Sequence, residues 1–178
     1  MPHIDLPKGA PGIVGPLQQY PKTAKHLLGL AQELLRGEST LTPGERELIA
    51  AYVSSKNNCY FCTHSHSAAA RHLLGDNTDL VEQVKLGLVS ARVSEKMKAL
   101  LHIAGKVQQG ERSVSEEDVA RARAEGATDK ELHDSVLIAA AFCMYNRYVD
   151  GLTTWTPSDE DLYDRHGARL AANGYVVR

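Results

Sequence analysis

The sequence predicts an all-α fold, and three observations support this. Apolar residues recur at helical spacing from Lys22 onward, no segment alternates apolar and polar residues as a strand would, and helix-start and helix-stop signals recur along the chain. No repeat of about 20 to 50 residues and no low-complexity segment interrupts the pattern. Because 178 residues is the length of one ordinary domain, we expect a single helical domain over residues 22–178.

The segment 1–21 differs from the rest in composition. It carries prolines and glycines at short intervals: Pro2, Pro7, Gly9, Pro11, Gly12, Gly15, Pro16 and Pro21. Since proline lacks a backbone N–H and fixes its own φ angle, this segment is hardly compatible with a helix or a central strand. We therefore expect an extended, proline-rich arm that either lies along another surface or stays mobile.

The first helices are marked by clear boundaries. One runs from Lys22 to Gly37, and the next opens with the capping box Thr42-Pro43-Gly44-Glu45 and continues to about Lys56. Asn57 and Asn58 are expected to end that helix and to cap the following one, which begins at Cys59 and stops at Gly75.

The later helices follow the same kinds of signal. They are predicted near 78–87, from Ser94 to Gly110, from Ser115 to Gly126, after a capping box at Thr128, and around 162–172. The helix after Thr128 is apolar on nearly every side between 132 and 144. We expect it to be the buried central helix of a bundle.

Candidate chemistry is concentrated in one short segment. Cys59 and Cys62 stand at C-x-x-C spacing, His66 follows four residues after Cys62, and Glu47 lies on the preceding helix. Residues three and four apart share a helix face, so the two thiols and the imidazole should line one stripe, with Glu47 facing them from an antiparallel helix. Unpaired N–H groups at a helix start favour thiolate. The pattern therefore predicts a redox dithiol with its own proton carrier.

Composition excludes several other classes of function. A net charge of −2 and a charged content of 24% give no basic surface for nucleic acid. No apolar run approaches the roughly 20 residues of a membrane helix, and the start of the chain lacks the features of a signal peptide. Three cysteines make no disulfide framework of the secreted type. We expect a cytoplasmic protein with no partner membrane and no cofactor.

The spacing also resembles a known family. Glu47, Cys59, Cys62 and His66 match the E-x11-C-x2-C-x3-H pattern of the alkylhydroperoxidase D group within the carboxymuconolactone decarboxylase-like proteins, and the segment 145–152 is similar to that of an uncharacterised peroxidase-related subgroup. The resemblance implies that Cys62 attacks a hydroperoxide, that Cys59 resolves the product as a disulfide, and that Glu47 and His66 relay protons with water. A tyrosine precedes the second cysteine in some members, whereas Phe61 stands here.

The resemblance further implies a helical bundle that assembles as a trimer or hexamer. It also implies a dihydrolipoyl group or another small dithiol as the electron donor. Two features of the chain favour a homo-oligomer independently of the resemblance. The arm at residues 1–21 cannot form a core of its own, and the apolar helix at 132–144 offers a large apolar face.

Alternative interpretations remain open from the sequence. The cysteine pair could be inert core, or could bind zinc with His66 and either His64 or Glu47. A lactone decarboxylase or isomerase and a non-enzymatic redox sensor are the rival functions. The helix dipole favours Cys59 as the attacking thiol, whereas His66 favours Cys62. Roles for the neighbouring Tyr60 and for three residues after the apolar helix are left undecided: Asn146, Arg147 and Asp150. Cys143 is interpreted as core packing.

Overall fold

A computed structural model describes residues 1–75, 77–110 and 112–176; positions 76, 111, 177 and 178 of the predicted domain lie outside the described residues. The helices follow in the order α1 (Val14–Gln19), α2 (Pro21–Arg36), α3 (Pro43–Lys56), α4 (Tyr60–Leu74), α5 (Leu80–Leu86), α6 (Glu95–Gln109), α7 (Glu116–Ala124), α8 (Asp129–Gly151) and α9 (Glu160–Asn173). Within those three ranges no strand occurs. The predicted all-α fold is confirmed.

Helix α3 lies at the centre of the fold. Ten of its 14 residues are buried, and α2, α4, α5, α6 and α8 all pack against it. Its start is fixed as the sequence predicts, because the Thr42 hydroxyl accepts from the Glu45 N–H while the Glu45 carboxylate accepts from the Thr42 N–H, with Pro43 in the first turn. A central helix of this kind can hold one polar group in the core and present it to several neighbours.

The expectation that the helix at 132–144 is the buried central helix is wrong. Val136, Leu137 and Met144 of α8 are 38%, 36% and 42% exposed, whereas Ile138 and Phe142 on the opposite face are at most 2% exposed. Apolar composition alone does not say how many sides of a helix have neighbours. Here the shorter α3 is enclosed, and α8 covers it from one side.

The expectation that the first 21 residues contain no helix is also wrong in part. α1 includes Pro16 as its third residue. The N–H groups of a first helical turn have no partner within the helix, so proline removes no intrahelical hydrogen bond there. Pro21 likewise begins α2. Proline is therefore tolerated at both helix starts for the same reason.

The rest of the arm is held by its own chain. The His3 N–H donates to the Leu152 carbonyl at 3.0 Å, and the Gly12 N–H donates to the Trp155 carbonyl at 2.8 Å. Gly12 has a φ of +51°, and a Cβ placed there would lie 2.2 Å from the Phe61 ring. Only glycine allows the arm to approach α4 this closely. No helix in the described ranges is both long enough and apolar enough to cross a membrane.

Candidate active site

The junction between α3 and α4 places the two cysteines. Asn57 ends α3, Asn58 adopts a left-handed conformation with a φ of +56°, and Cys59 occupies the N-cap position of α4 in an extended conformation. Asparagine tolerates the left-handed region better than most residues, which explains the short turn. The prediction that the asparagines cap α4 is wrong by one residue, since Cys59 caps it.

The two thiols have different surroundings. Cys59 is fully buried, whereas Cys62, in the first turn of α4, lines a cavity. Hydrogen bonding to Cys62, followed by burial, raises the pKa of the Cys59 thiol well above its ordinary value. The raised pKa favours the protonated form of Cys59. The sulfur that reaches the cavity is Cys62.

Glu47 and His66 are brought together from the facing helices α3 and α4. The His66 Nδ1 lies 2.7 Å from Glu47 Oε2, and the Glu47 side chain is completely buried. A carboxylate on Nδ1 fixes the orientation of an imidazole and leaves Nε2 for other partners. Nε2 makes no hydrogen bond with any residue the structure describes. His66 lines the same cavity as Cys62.

Two further residues complete the Glu47 site and were missed from the sequence. Glu47 Oε1 accepts from Arg36 Nη2 at 2.7 Å and from the Tyr175 hydroxyl at 2.6 Å. Burial alone would raise the pKa of Glu47, but His66, Arg36 and Tyr175 together outweigh it and leave that pKa lowered. Glu47 is thus a charged, buried carboxylate with every oxygen occupied by a donor.

Tyr175 reaches this network from the segment after α9. Gly174 turns the chain with a φ of +69°, and the Tyr175 N–H donates to Gln32 Oε1 at 2.8 Å. The tyrosine ring stacks near the Arg36 guanidinium, 5.3 Å from its carbon, and its oxygen lies 3.3 Å from His66 Nδ1. Burial and the Glu47 charge raise the pKa of Tyr175, so the hydroxyl is a donor. No motif signals it, since 128 positions separate it from Glu47.

The cavity beside Cys62 has a volume of about 100 Å³. Its walls are mainly apolar: Ile13, Val14, Leu17, Leu27, Leu28, Ala31, Phe61, Phe142, Tyr145 and Leu170. Polar groups enter as Ser65 and His66 from α4, His166 and Arg169 from α9, and Tyr175. Burial and the nearby Arg169 and His66 lower the pKa of His166 to about 4, so its imidazole is neutral at pH 7.

The helix α9 is pressed closely onto α4 beside this cavity. A Cβ placed on Gly167 would lie 2.5 Å from the Ala68 Cβ and 2.7 Å from the Ala69 nitrogen. Small residues at the contact let the two backbones approach, which sets the position of the flanking His166. The sequence predicts α9 as a helix but gives no sign that it forms a wall of the site.

The residues left undecided by the sequence lie away from the cavity. Asn146 is buried, where it accepts from Asn57 Nδ2 at 2.8 Å and donates to Ser54 Oγ at 3.1 Å, so it braces the α3–α4 junction. The Tyr60 ring stacks on His64 at 3.8 Å on the outer side of α4. Arg147 and Asp150 are exposed. None of these residues lines the cavity.

Cys143 is partly buried, and Asn57 Nδ2 lies 3.5 Å from its sulfur. The zinc alternative requires three or more ligands in one cluster. Among the described residues no group of three or more histidine, cysteine, aspartate or glutamate side chains is arranged to hold a metal ion. Glu47 is instead surrounded by hydrogen-bond donors.

The described residues form an all-helical bundle in which a C-x-x-C pair opens a helix beside a buried glutamate–histidine pair. Residues 21–104 match the model of the Carboxymuconolactone decarboxylase family. With the solved structures described below, this match confirms the resemblance, seen in the sequence, to the alkylhydroperoxidase D group within the carboxymuconolactone decarboxylase-like proteins.

Solved structures similar to this chain include two peroxidase-related proteins and one protein of unknown function. An uncharacterised peroxidase-related protein from Ralstonia eutropha, described as an alkylhydroperoxidase AhpD core, is 26% identical with a TM-score of 0.78, over 89% of this chain and 81% of that one. A second, from a Silicibacter species, is 27% identical with a TM-score of 0.75, over 84% and 78%. A protein of unknown function from Agrobacterium tumefaciens, suggested as an antioxidant defence protein, shares the fold at 21% identity and a TM-score of 0.72, over 83% and 99%. No curated protein matches.

Proposed function

We propose that the protein is a dithiol peroxidase that reduces hydroperoxides. One observation carries the proposal: Cys62 lines an apolar cavity that it shares with His66, while Cys59, three positions away, is fully buried and does not line that cavity. Such a reaction requires a nucleophilic thiol that reaches the cavity, a second thiol that resolves the sulfenic acid, and a histidine held by a buried carboxylate.

The reaction proceeds in two oxidative steps. The Cys62 thiolate attacks the distal peroxide oxygen, the O–O bond breaks, and the alkoxide leaves as an alcohol with a proton delivered from His66. Cys62 is then a sulfenic acid. The Cys59 sulfur attacks Cys62, the S–O bond breaks, and hydroxide leaves as water with the Cys59 proton. A small dithiol or lipoyl-type carrier reduces the disulfide by two electrons.

Glu47 stabilises the protonated form of His66 and orients its ring. The carboxylate stabilises a positive imidazolium while the proton taken from the Cys62 thiol resides there, and it holds Nδ1 so that Nε2 makes the transfer. Arg36 and Tyr175 keep Glu47 ionised and fixed by donating to its Oε1. Water carries the proton between His66 and Cys62, as the resemblance implies.

We further propose a cytoplasmic homo-oligomer, a trimer or hexamer. The exposed apolar side chains of α8, Val136, Leu137 and Met144, support assembly because they form an uncovered stripe. The arm needs no partner subunit for order, since its hydrogen bonds to residues 152 and 155 lie within one chain. Light scattering measures the mass, and substitution of Val136 and Met144 by serine should lower it; a stable wild-type monomer would refute assembly.

The test of the chemistry is hydroperoxide consumption with thiol titration. Wild-type protein should turn over when a small dithiol is supplied. When the dithiol is withheld, the protein should lose two thiols. Cys62→Ser should abolish turnover, whereas Cys59→Ser should leave a sulfenic acid on Cys62 that dimedone traps. Cys143→Ser is the matched control and should turn over normally.

The rival functions give different results. A redox sensor loses two thiols without turnover, and a lactone decarboxylase or isomerase is indifferent to the peroxide. Dimedone labelling of Cys59 in the Cys62→Ser variant would reverse the order of attack.

A further inference from the structure

The polar wall that α9 contributes to the cavity is not used by the peroxidase chemistry. His166 and Arg169 are three positions apart, so they lie on one face of α9, and both line the cavity that contains Cys62. We propose that these two residues form a subsite for a carboxylate, so that the protein takes amphipathic organic acids with an apolar body. The use of such acids in turnover rests on the proposed function, whereas their binding to the cavity does not.

The charge distribution of the cavity points to an anion. Among the described residues that line the cavity, Arg169 is the only one with a permanent charge, and none is acidic. The nine apolar wall residues supply surface for a hydrocarbon chain, and the Tyr145 hydroxyl already donates to the Leu27 carbonyl at 2.8 Å. A ligand that matches both features has an apolar part and one negative group.

Arg169 is available for such a ligand. Its guanidinium makes no hydrogen bond or ion pair with any residue in the described ranges, although other arginines of the fold, such as Arg36, do. Its side chain is exposed at the cavity edge. Its charge also reaches His166, because it is the second largest cause, behind burial, of the lowered pKa of His166. A carboxylate placed between them meets a cation that has no partner among the described residues.

The donor set favours a carboxylate in particular. Guanidinium binds a carboxylate through two parallel N–H groups, and a neutral imidazole can donate one more N–H. His166 lines the cavity and makes no hydrogen bond with the part of the chain that is described, which leaves its ring nitrogens for a ligand. The apolar chain of the acid then extends over Phe61 and Leu170 toward Cys62.

Binding can be measured without turnover. Octanoate and 1-octanol have the same chain length, and neither is a peroxide, so calorimetric titration of the reduced wild-type protein with each reports the subsite alone. We expect octanoate to bind more tightly than 1-octanol. In Arg169→Gln that preference should fall about tenfold, the scale of one charge-assisted hydrogen-bonding pair. Arg165→Gln is the control, since Arg165 is exposed on α9 and lies outside the cavity.

The outcomes separate this inference from the proposed function. Equal affinities for the two ligands, or the same loss of preference in Arg165→Gln, would overturn the subsite whether or not the protein is a peroxidase. A preference that depends on Arg169 in a protein without peroxidase activity would keep the subsite and refute the reaction.

The carboxylate could belong to the hydroperoxide or to the dithiol donor. Turnover of a hydroperoxy acid against tert-butyl hydroperoxide, at a fixed neutral dithiol, tests the first source. Reduced lipoate against reduced lipoamide, at a fixed neutral hydroperoxide, tests the second. The KM of the partner that uses Arg169 rises in Arg169→Gln, and no change in either KM would contradict a role in turnover.

Discussion

Replacement of Glu47 by glutamine tests the buried network directly. The change keeps the shape of the side chain but removes its charge. One oxygen can still accept from Arg36 and Tyr175, while the new amide N–H₂ group meets the His66 Nδ1 that lay 2.7 Å from Glu47 Oε2. Arg36, whose side chain is 11% exposed, loses its only ion-pair partner in the described ranges.

The expected cost follows from the burial of that pair. Removing one partner from a buried charge pair typically costs about 3–5 kcal/mol in the free energy of unfolding. For a chain of this size that corresponds to a fall in melting temperature of roughly 10 °C. The variant should still fold, since domains usually have about 5–15 kcal/mol of stability.

The loss should depend on pH in a definite direction. Because folding lowers the pKa of Glu47 below its ordinary value of 4.5, the ionised carboxylate contributes stability above that pH, and the contribution is lost as pH falls through the lower folded value. The difference between wild type and Glu47→Gln should be full at about pH 7 and should shrink below about pH 4.

Urea unfolding of the reduced proteins, followed by circular dichroism, measures this difference at several pH values. Glu38→Gln is the control, because Glu38 is exposed and makes no hydrogen bond with the described residues. A Glu47→Gln protein as stable as wild type at neutral pH, or one whose deficit does not change with pH, would refute the account of Glu47 as a buried anion.

Three further predictions follow from the site. Mild oxidation should join Cys59 to Cys62 and leave Cys143 reduced, and mass mapping that finds Cys143 as the main bridge partner would contradict the assignment of the pair. Tyr175→Phe should lower kcat several-fold and shift the acidic limb of the kcat profile, because Glu47 loses one donor, while Tyr20→Phe, at an exposed tyrosine, should change neither. Gly167→Ala should destabilise the fold by about 1–3 kcal/mol, because its Cβ would lie 2.5 Å from that of Ala68; unchanged unfolding would show that α9 can move away without cost.

Most of the fold could be predicted from local signals. Capping residues such as Thr42 and Thr128 and stop signals such as Gly75 act within one helical turn, so the sequence states them directly. The predictions were wrong where the burial of a residue depends on which other helices pack against its own. The exposed stripe of α8 is set by which helices pack against it, and nothing in its own apolar sequence distinguishes a covered face from an uncovered one.

The site divides in the same way. Glu47, Cys59, Cys62 and His66 lie on two consecutive helices, so their spacing along the chain is enough to place them together. Arg36 and Tyr175 come from other elements, and their approach to Glu47 depends on tertiary packing. A buried carboxylate needs donors on both oxygens, so a requirement for partners could be anticipated, though not their identities.

The position of Tyr175 has a consequence for how the protein is made. The cysteine pair and Glu47 leave the ribosome early, in helices that can pack as soon as α4 is complete. The last donor to Glu47 arrives only when the segment after α9 emerges and docks against Gln32. A nascent chain therefore has its thiols in place before its proton network is finished. Chains that stop short of residue 175 can keep the helical core while lacking the full set of donors on Glu47.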